Sequence, residues 1–338
     1  MIRRRSLITS LMLGTTLLFG GDASAEIRER TLRFTHQNSL EHPQGQGVRR
    51  FVELVEQRSG GKIKVRQFAS GSLGGDLQNV SALQGGTLDL MVLNAGLLVG
   101  LVKDFAALDL PFLFNTPEEA DAVVDGPVGQ KLFAKLPEKG LIGLGFFELG
   151  FRDVTNSRRP ITKMEDLQGI KLRVLQSPLF IDTFNALGTN TVPMPFPELY
   201  PALEQKVVDG QENPVTLILD SKFNEVQKHL ALTHHIYSAQ SVIMSKRVWD
   251  RLNDEEKKLV QDALTEAQVY QRQVSRDKSK QALDALKAAG MQVTEIAPAE
   301  IDRMREKVRP VVDKYAKEFG EALVSEINAA IAAKRGQK

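Results

Sequence analysis

The sequence predicts an α/β fold in two lobes, with one long helix reaching across both. Three observations carry this. Short apolar runs and amphipathic stretches alternate in β-α-β-α-β order from Leu32 to Leu93, the pattern of a mostly parallel sheet covered by helices on both faces. A second alternation of the same kind starts near Gly150. From Asp254 to Ala289 neither Pro nor Gly interrupts 36 residues, which at ~1.5 Å per residue is roughly 54 Å of helix, more than one small domain spans.

Leu32-Arg-Phe34 opens as a strand, and the helix after it sets Val48, Phe51, Val52 and Val55 at helical spacing before stopping at Gly60-Gly61. Lys62 to Phe68 alternates as a second strand. Gly71 to Asp76 is a turn into a helix with Leu77, Val80 and Leu83 on one face, ended by Gly85-Gly86. Leu88 to Leu93 is nearly continuous in apolar residues, as in a buried strand. Leu141 to Phe147 reads as a strand leading out of the first lobe.

The second lobe is built on Gly169-Ile-Lys-Leu-Arg173-Val174, where Ile170, Leu172 and Val174 alternate with Lys171 and Arg173. After it come a helix from Ser177 to Leu187, a strand around Thr191, a short helix near Glu198 and a strand at Val207-Val208. A helix through Leu217 to Leu230 and a pair of apolar strands ending at Met244 follow. The long helix is capped by Asn253 and ended by Gly290, with Leu259, Val260, Ala263, Leu264, Ala267, Tyr270 and Val274 on one stripe. A helical tail from Pro298, interrupted at Pro310, closes the chain. The expected division is 26–149 with 239–278 in lobe I, 150–238 with 279–330 in lobe II, and 331–338 as a frayed tail.

With 42% hydrophobic and 25% charged residues, 338 residues suffice for two lobes with real cores. Residues 1–25 stand apart. Arg3-Arg-Arg5, an apolar run from Leu7 to Phe19 and Ala23-Ser-Ala25 read as a cleaved export signal, so the exported chain is expected to begin at Glu26. The apolar run falls short of the ~20 residues a membrane span needs. Arg4-Arg5-Ser-Leu also resembles a twin-arginine signal, which leaves both export routes open. Without the signal, Lys+Arg falls from 44 to 41 and Asp+Glu from 42 to 41. The formal charge is then zero, and no basic footprint for nucleic acid remains. The absence of cysteine excludes a disulfide framework and thiolate chemistry.

Period-2 alternation turns Arg173 away from the face that holds Ile170, Leu172 and Val174. Arg152 precedes the turn at Asn156 to Pro160, and Asp209-Gly-Gln-Glu-Asn213-Pro214 ends another apolar run. Two guanidiniums and a cluster of amides can converge there on an anion. Asn94 ends a buried strand, where ligand-facing residues gather in open α/β sheets; Gln37, Glu148 and Gln240 also lie at strand ends and can meet hydroxyl groups. His234-His235 invites a metal reading, but neighbours on a strand face opposite ways and no second cluster has ligand spacing, so no metal is expected. Without a Gly-x-Ser-x-Gly elbow or a recognisable acid/base pair, no catalytic residue is assigned. No cofactor is expected either: the glycines of Gly71 to Asp76 fit neither the dinucleotide nor the P-loop pattern.

Phe68-Ala-Ser-Gly-Ser-Leu-Gly74, Asp109-Leu-Pro-Phe-Leu-Phe114, Arg152 to Pro160, Gly169 to Val174, Pro195-Phe196 and Asp209 to Pro214 together resemble the solute-binding proteins of tripartite ATP-independent periplasmic (TRAP) transporters. The resemblance covers nearly the whole chain after its first 30 residues. It implies a two-lobed periplasmic binding protein with a ligand cleft between the lobes, not an enzyme. An organic acid would be handed to two membrane subunits, the small and large permease, by a monomer. The resemblance also places Arg173 where the family pairs an arginine bidentately with the ligand carboxylate, and Arg152 at its second anion-contacting arginine. It has Asn213 reach the ligand, with a cap on a helix after Pro214 as a compatible alternative, and Phe196 stack on it. Arg158 and Arg159 match no such role.

Asn94 stands where the family's sialic acid binders carry glutamate, which argues against that ligand. Within the family, Asp153-Val-Thr-Asn-Ser157, Ser177-Pro178 and Met194-Pro-Phe196 look closest to the components that bind diketogulonate, though Gly210 and Asn213 depart from the Ala and His found there. The expected ligand is therefore a six-carbon sugar acid, with Asn94 and Glu148 among its contacts. C4-dicarboxylates come second, and an exported enzyme for acidic sugars or a ligand sensor are the readings from other classes.

Overall fold

The computed structural model of the chain describes residues 26–337; the expected export signal and its cleavage after Ala25 lie outside the described residues. In chain order the strands are β1 (Arg30–Thr35), β2 (Ile63–Phe68), β3 (Leu90–Asn94), β4 (Leu141–Asn156), β5 (Lys171–Val174), β6 (Asn190–Pro193), β7 (Gly210–Asn213), β8 (His229–Ser245) and β9 (Gln292–Glu295). The helices are α1 (Pro43–Arg58), α2 (Asp76–Gly85), α3 (Pro117–Val124), α4 (Pro127–Phe133), α5 (Pro178–Ala186), α6 (Leu199–Glu204), α7 (Val215–Asp220), α8 (Lys246–Trp249), α9 (Asp254–Ala288), α10 (Pro298–Phe319) and α11 (Glu321–Arg335).

All nine strands join one sheet in the order β2-β1-β3-β8-β4-β7-β5-β6, with β9 beside β8. β1 pairs in parallel with β2 and β3, and β5 in parallel with β6 and β7. These two parallel triplets are what the helical crossovers require. Between them β4 and β8, 16 and 17 residues long, run antiparallel to each other. The apolar pair of strands expected before Met244 is therefore the single strand β8, and Leu141 to Phe147 is only the first half of β4. Their ladder shifts register at Gly143/Gly145, Glu148/Gly150 and Arg152/Val154; such bulges bend a strand.

The helix expected over Leu217 to Leu230 stops at Asp220, because Lys222 takes a left-handed conformation (φ 56°) and the chain turns into β8. The strand expected at Val207-Val208 begins three residues later. Val207 is exposed, whereas Gly210, Gln211, Glu212 and Asn213 are all buried. Polar residues fill this strand because it faces other polar groups rather than the apolar core.

α9 has its capping box: Asn253 Oδ1 accepts from the Glu256 amide and Glu256 Oε2 from the Asn253 amide, both at 2.9 Å. Its 35 residues span about 52 Å at 1.5 Å per residue. The buried stripe departs from expectation, since Tyr270 is exposed and the i,i+4 series from Ala263 and Ala267 continues through Gln271 and Ser275. Gln271 holds the β4 backbone, accepting from the Glu148 amide at 2.7 Å and donating to the Glu148 carbonyl at 2.6 Å.

α10 passes Pro310 without a break. The proline is on the exposed face, so the carbonyl it leaves free four residues back meets solvent. The interruption comes at Gly320, at φ 88°. Residues 331–335 do not fray. Ile331 is buried, and Arg335 Nε and Nη2 reach the Glu119 carboxylate at 2.8 and 3.0 Å.

Two apolar cores lie apart from each other. One joins Phe34, Phe51 and Val92 to Val260 and Leu264; the other joins Leu203, Ile218 and Phe223 to Ala282 and Leu286. α9 contributes to both. A third core, from Leu93 and Phe105 through Leu172 and Phe184 to Tyr315, is continuous through both halves of the sheet.

Candidate functional site

The carboxyl ends of β1, β3, β5 and β7 converge on one gap, the place where open α/β sheets bind ligands. A cavity of about 40 Å³ remains there, lined by Gln37, Asn38, Gln44, Asp76, Asn94, Arg152, Phe196, Asn213 and Gln240 together with Leu175 and Leu217. That is room for only a few waters. The walls meet at its rim. The Gly71–Asp76 loop approaches Pro195 and Pro197 so closely that a Cβ on Gly75 would lie 3.3 Å from Pro195 Cβ. On the other side Ser39 Oγ donates to Asp220 Oδ1 at 2.6 Å.

Arg173 is 1% exposed at the end of β5. Leu172 and Val174 face the apolar core, as the alternation predicts, but the opposite face is buried as well. Its Nε and Nη2 donate to the Met194 carbonyl at 3.0 and 2.6 Å, and Nη1 is buried with no partner. Burial, and then the like charge of Arg152, pull its pKa down to about 10 against Glu212 and Asp76, so it is charged at neutral pH.

Arg152, from β4, is just as buried but committed. Nε meets Glu212 Oε2 at 2.5 Å, while Nη2 meets Oε1 at 2.8 Å and the Glu212 carbonyl at 2.6 Å. Nη1 reaches Ser238 Oγ at 3.3 Å, and the guanidinium carbon lies 5.4 Å from the centre of the Phe180 ring. Burial pushes the Glu212 pKa up, but Arg152 and the His235 hydrogen bond outweigh it and hold the carboxyl below its usual range. Glu212 Oε2 also meets His235 Nε2 at 3.1 Å. An ionised carboxylate only accepts, so Nε2 carries the proton.

Asn94 donates to Ser238 Oγ at 2.8 Å and accepts from the Gly96 amide at 2.9 Å. Asn213 donates to Gln211 Oε1 at 2.6 Å. It does not cap α7, whose N-cap is Pro214 with no side-chain bond. Phe196 is half-buried at the cavity edge, 6.1 Å from the Phe223 ring. Gln37 donates to Asp76 Oδ1 at 3.1 Å, and Gln240 Oε1 accepts from Gln44 at 3.0 Å.

Glu148 stands outside this group. Its carboxylate meets Arg276 at 2.8 Å and the Tyr237 hydroxyl at 3.0 Å, so it ties β4 to α9 and β8 and does not line the cavity. Arg158 pairs with Asp209 at the surface. His234 and His235 face opposite ways, one exposed and one buried, and among the described residues no group of three potential metal ligands exists. Sequence reasoning missed Asp76, Asp109, Glu212, His235 and Ser238.

The chain matches the profile described as "Bacterial extracellular solute-binding protein, family 7" over residues 34–318. It is similar to a TRAP periplasmic solute-binding protein from Ochrobactrum anthropi, crystallised with its C-terminus in the ligand-binding pocket, at 52% identity and a TM-score of 0.82, with 93% of this chain and 98% of that one covered. It is similar to the sugar acid binding protein DctPAm from Advenella mimigardefordensis in complex with galactonate, at 41% identity and a TM-score of 0.89, covering 91% and 99%. The 2,3-diketo-L-gulonate-binding periplasmic protein YiaO of Escherichia coli is 35% identical over 292 residues, 86% of this chain and 88% of that one. Among the described residues no helix is long and apolar enough to cross a membrane.

Proposed function

The chain belongs to family 7 of the bacterial extracellular solute-binding proteins, and from that premise we propose that it captures a six-carbon sugar acid, with Arg173 as the carboxylate clamp. The observation that carries the reading is the buried, unpartnered Nη1 of Arg173. Of its five N–H donors, Nε–H and one on Nη2 serve the Met194 carbonyl. The two on Nη1 and the second on Nη2 remain, which is an end-on fork of the width a carboxylate accepts. Arg152 adds positive potential and the Nη1 edge that faces Ser238.

Sugar acids are favoured over dicarboxylates because the cleft offers one free fork and many neutral amides. Arg152 is already neutralised by Glu212, so a second carboxylate has no free cation, whereas Gln37, Asn94, Asn213 and Gln240 suit hydroxyl groups. The similarity to proteins that bind galactonate and diketogulonate supports the same choice. In a thermal-shift screen, galactonate, gluconate or glucuronate is expected to raise the melting temperature. At 100 times Kd a ligand adds about 2.7 kcal/mol. Stabilisation by succinate or malate, with none by any sugar acid, reverses the assignment.

Capture involves closure about a hinge near residues 150 and 238, where the β4–β8 ladder shifts register and Gly150 takes φ 111°. Residues 26–149 with 239–278 then form one lobe, and 150–238 with 279–330 the other. Small-angle scattering is expected to give a smaller radius of gyration with a saturating sugar acid than without. An unchanged radius argues against closure. The loaded protein delivers its ligand, as a monomer exported by its N-terminal signal, to the two permease subunits of a TRAP transporter.

A further inference from the structure

Arg152 and Asp76 line the cavity, and Arg173, Asp109 and Glu212 are buried within electrostatic reach of them, so two positive charges face three negative ones when all are ionised. A carboxylate ligand adds a fourth in a region where water is largely excluded and charges interact strongly. The excess must be removed, and protonation of an acid is the least costly way.

The three acids are not equivalent. Glu212 is held by Arg152 and His235. Burial pushes the Asp76 pKa up to about 6, but the acid keeps the Gln37 amide and sits at the first position of α2, where backbone N–H groups favour an anion. Asp109 has no helix N-terminus and only one long amide contact. It is fully buried, its Oδ1 is 3.5 Å from Asn94 Nδ2, and its Oδ2 has no hydrogen-bond partner. The Gly96 backbone lies against it so closely that a Cβ there would come within 1.9 Å of Oδ2, but the Gly96 amide is spent on Asn94 Oδ1. The charged and polar groups facing it are Asn94 on β3, Arg152 on β4 and Glu212 on β7, with His235 and Ser238 on β8 beyond them. Its one cationic neighbour, Arg152, is already matched by Glu212.

We propose that Asp109 is the cleft's proton site and that capture of the carboxylate ligand is accompanied by proton uptake there. This rests on the reading of the cleft as an anion site. Burial pushes the Asp109 pKa up to about 7 against the opposing Arg152 and Asn94, with Glu212 adding to the rise. The acid is thus poised near neutrality, and a further negative charge in the cleft drives it to the neutral form. Ligand affinity then tightens as pH falls from 8.5 to 6.5, by up to roughly tenfold per unit where a whole proton is taken up.

The first test uses no ligand. Because the folded pKa is raised above its ordinary value of 3.8, the wild type loses stability from this group as pH rises from about 4 to about 7 and no more above that. The urea midpoint of Asp109→Asn relative to wild type is therefore expected to climb over that window and then stay level. A difference that is constant with pH overturns the protonated Asp109. The second test is calorimetry with galactonate at pH 7.5 in phosphate and in Tris, whose ionisation heats differ. The wild type is expected to show a buffer-dependent enthalpy, and Asp109→Asn none. Equal enthalpies for the wild type, or a buffer dependence that survives in Asp109→Asn, overturn the uptake. Should Asp109→Asn fold poorly, infrared spectroscopy of the wild type decides the same point: a protonated-carboxyl band that grows when galactonate is added supports the uptake, and an unchanged band overturns it. If galactonate does not bind, the sugar-acid reading fails, while the ligand-free test still decides the state of Asp109.

Discussion

Arg173→Ala is expected to weaken binding of the cognate acid by roughly 10²-fold to several thousand-fold, since losing one partner of a buried charge pair costs about 3–5 kcal/mol. The ligand carboxylate would be left in a water-poor cleft beside Arg152 alone, and two of that residue's nitrogens are occupied by Glu212. The Met194 carbonyl would also lose both of its donors, so the loop that carries Phe196 loosens at the same time. Arg173→Lys retains charge but cannot serve the Met194 carbonyl and the ligand with one planar group, so it should recover only part of the loss. Isothermal calorimetry with a sugar acid found in the thermal-shift screen measures the effect. Arg158→Ala is the control, because its partner Asp209 lies at the surface, and circular dichroism reports folding. Binding by Arg173→Ala as tight as by the control would remove the clamp from the mechanism.

How far the sequence exposes this architecture depends on which side chains face water. The short parallel strands and the long helix could be read because each has one apolar face, as Leu32 and Phe34 on β1 and Leu259 and Ala263 on α9 illustrate. β4 and β8 were read only in part. Both are buried along almost their whole length, and their bulges interrupt any simple period. β7 was misplaced because its four residues, one glycine and three polar, are buried together and pair with β4, more than fifty residues earlier. Helix propensity near Leu217 gave no warning of the left-handed Lys222.

The same logic governs the cleft. Arg173, Asn94, Asn213 and Phe196 were legible because they end strands or match family motifs; the fold brings Asn94, Asn213 and Phe196 to one cavity, and Arg173 is buried without being part of its lining. The acids were not. Asp109 and Glu212 lie roughly 100 residues apart in sequence and become neighbours only when β3, β8, β4 and β7 are laid in that order. Nothing local distinguishes a carboxylate that neutralises an arginine from one that faces solvent. Glu148 shows the converse: its position at a bend of β4 suggested a ligand contact, yet Arg276, more than a hundred residues later, claims it.

Glu212→Ala is expected to destabilise the folded protein by about 3–5 kcal/mol, as removal of one member of a buried ion pair does. The carboxylate is inaccessible to solvent and accepts from Arg152 Nε, Arg152 Nη2 and His235 Nε2. Without it the Arg152 guanidinium keeps, as hydrogen-bond acceptors, only the backbone carbonyl of residue 212 and the long contact to Ser238. Glu212→Gln preserves the volume but supplies one acceptor oxygen where two are used, and its NH₂ group must oppose an arginine or histidine donor, so most of the loss should persist. Urea unfolding at pH 7.5 measures both variants, and a Glu212→Ala midpoint indistinguishable from wild type would show that the pair contributes nothing. The pH dependence gives a second signature. Because the folded Glu212 pKa lies below its ordinary value of 4.5, its stabilisation is complete above that pH and disappears as pH falls through the lower folded value. The gap between wild type and Glu212→Gln should therefore be constant from about pH 6 upward and narrow in acid. Arg152→Met combined with Glu212→Leu leaves neither charge unpaired and should regain much of the stability while still lacking the positive potential of the cleft, which separates what the pair does for the fold from what it does for the ligand.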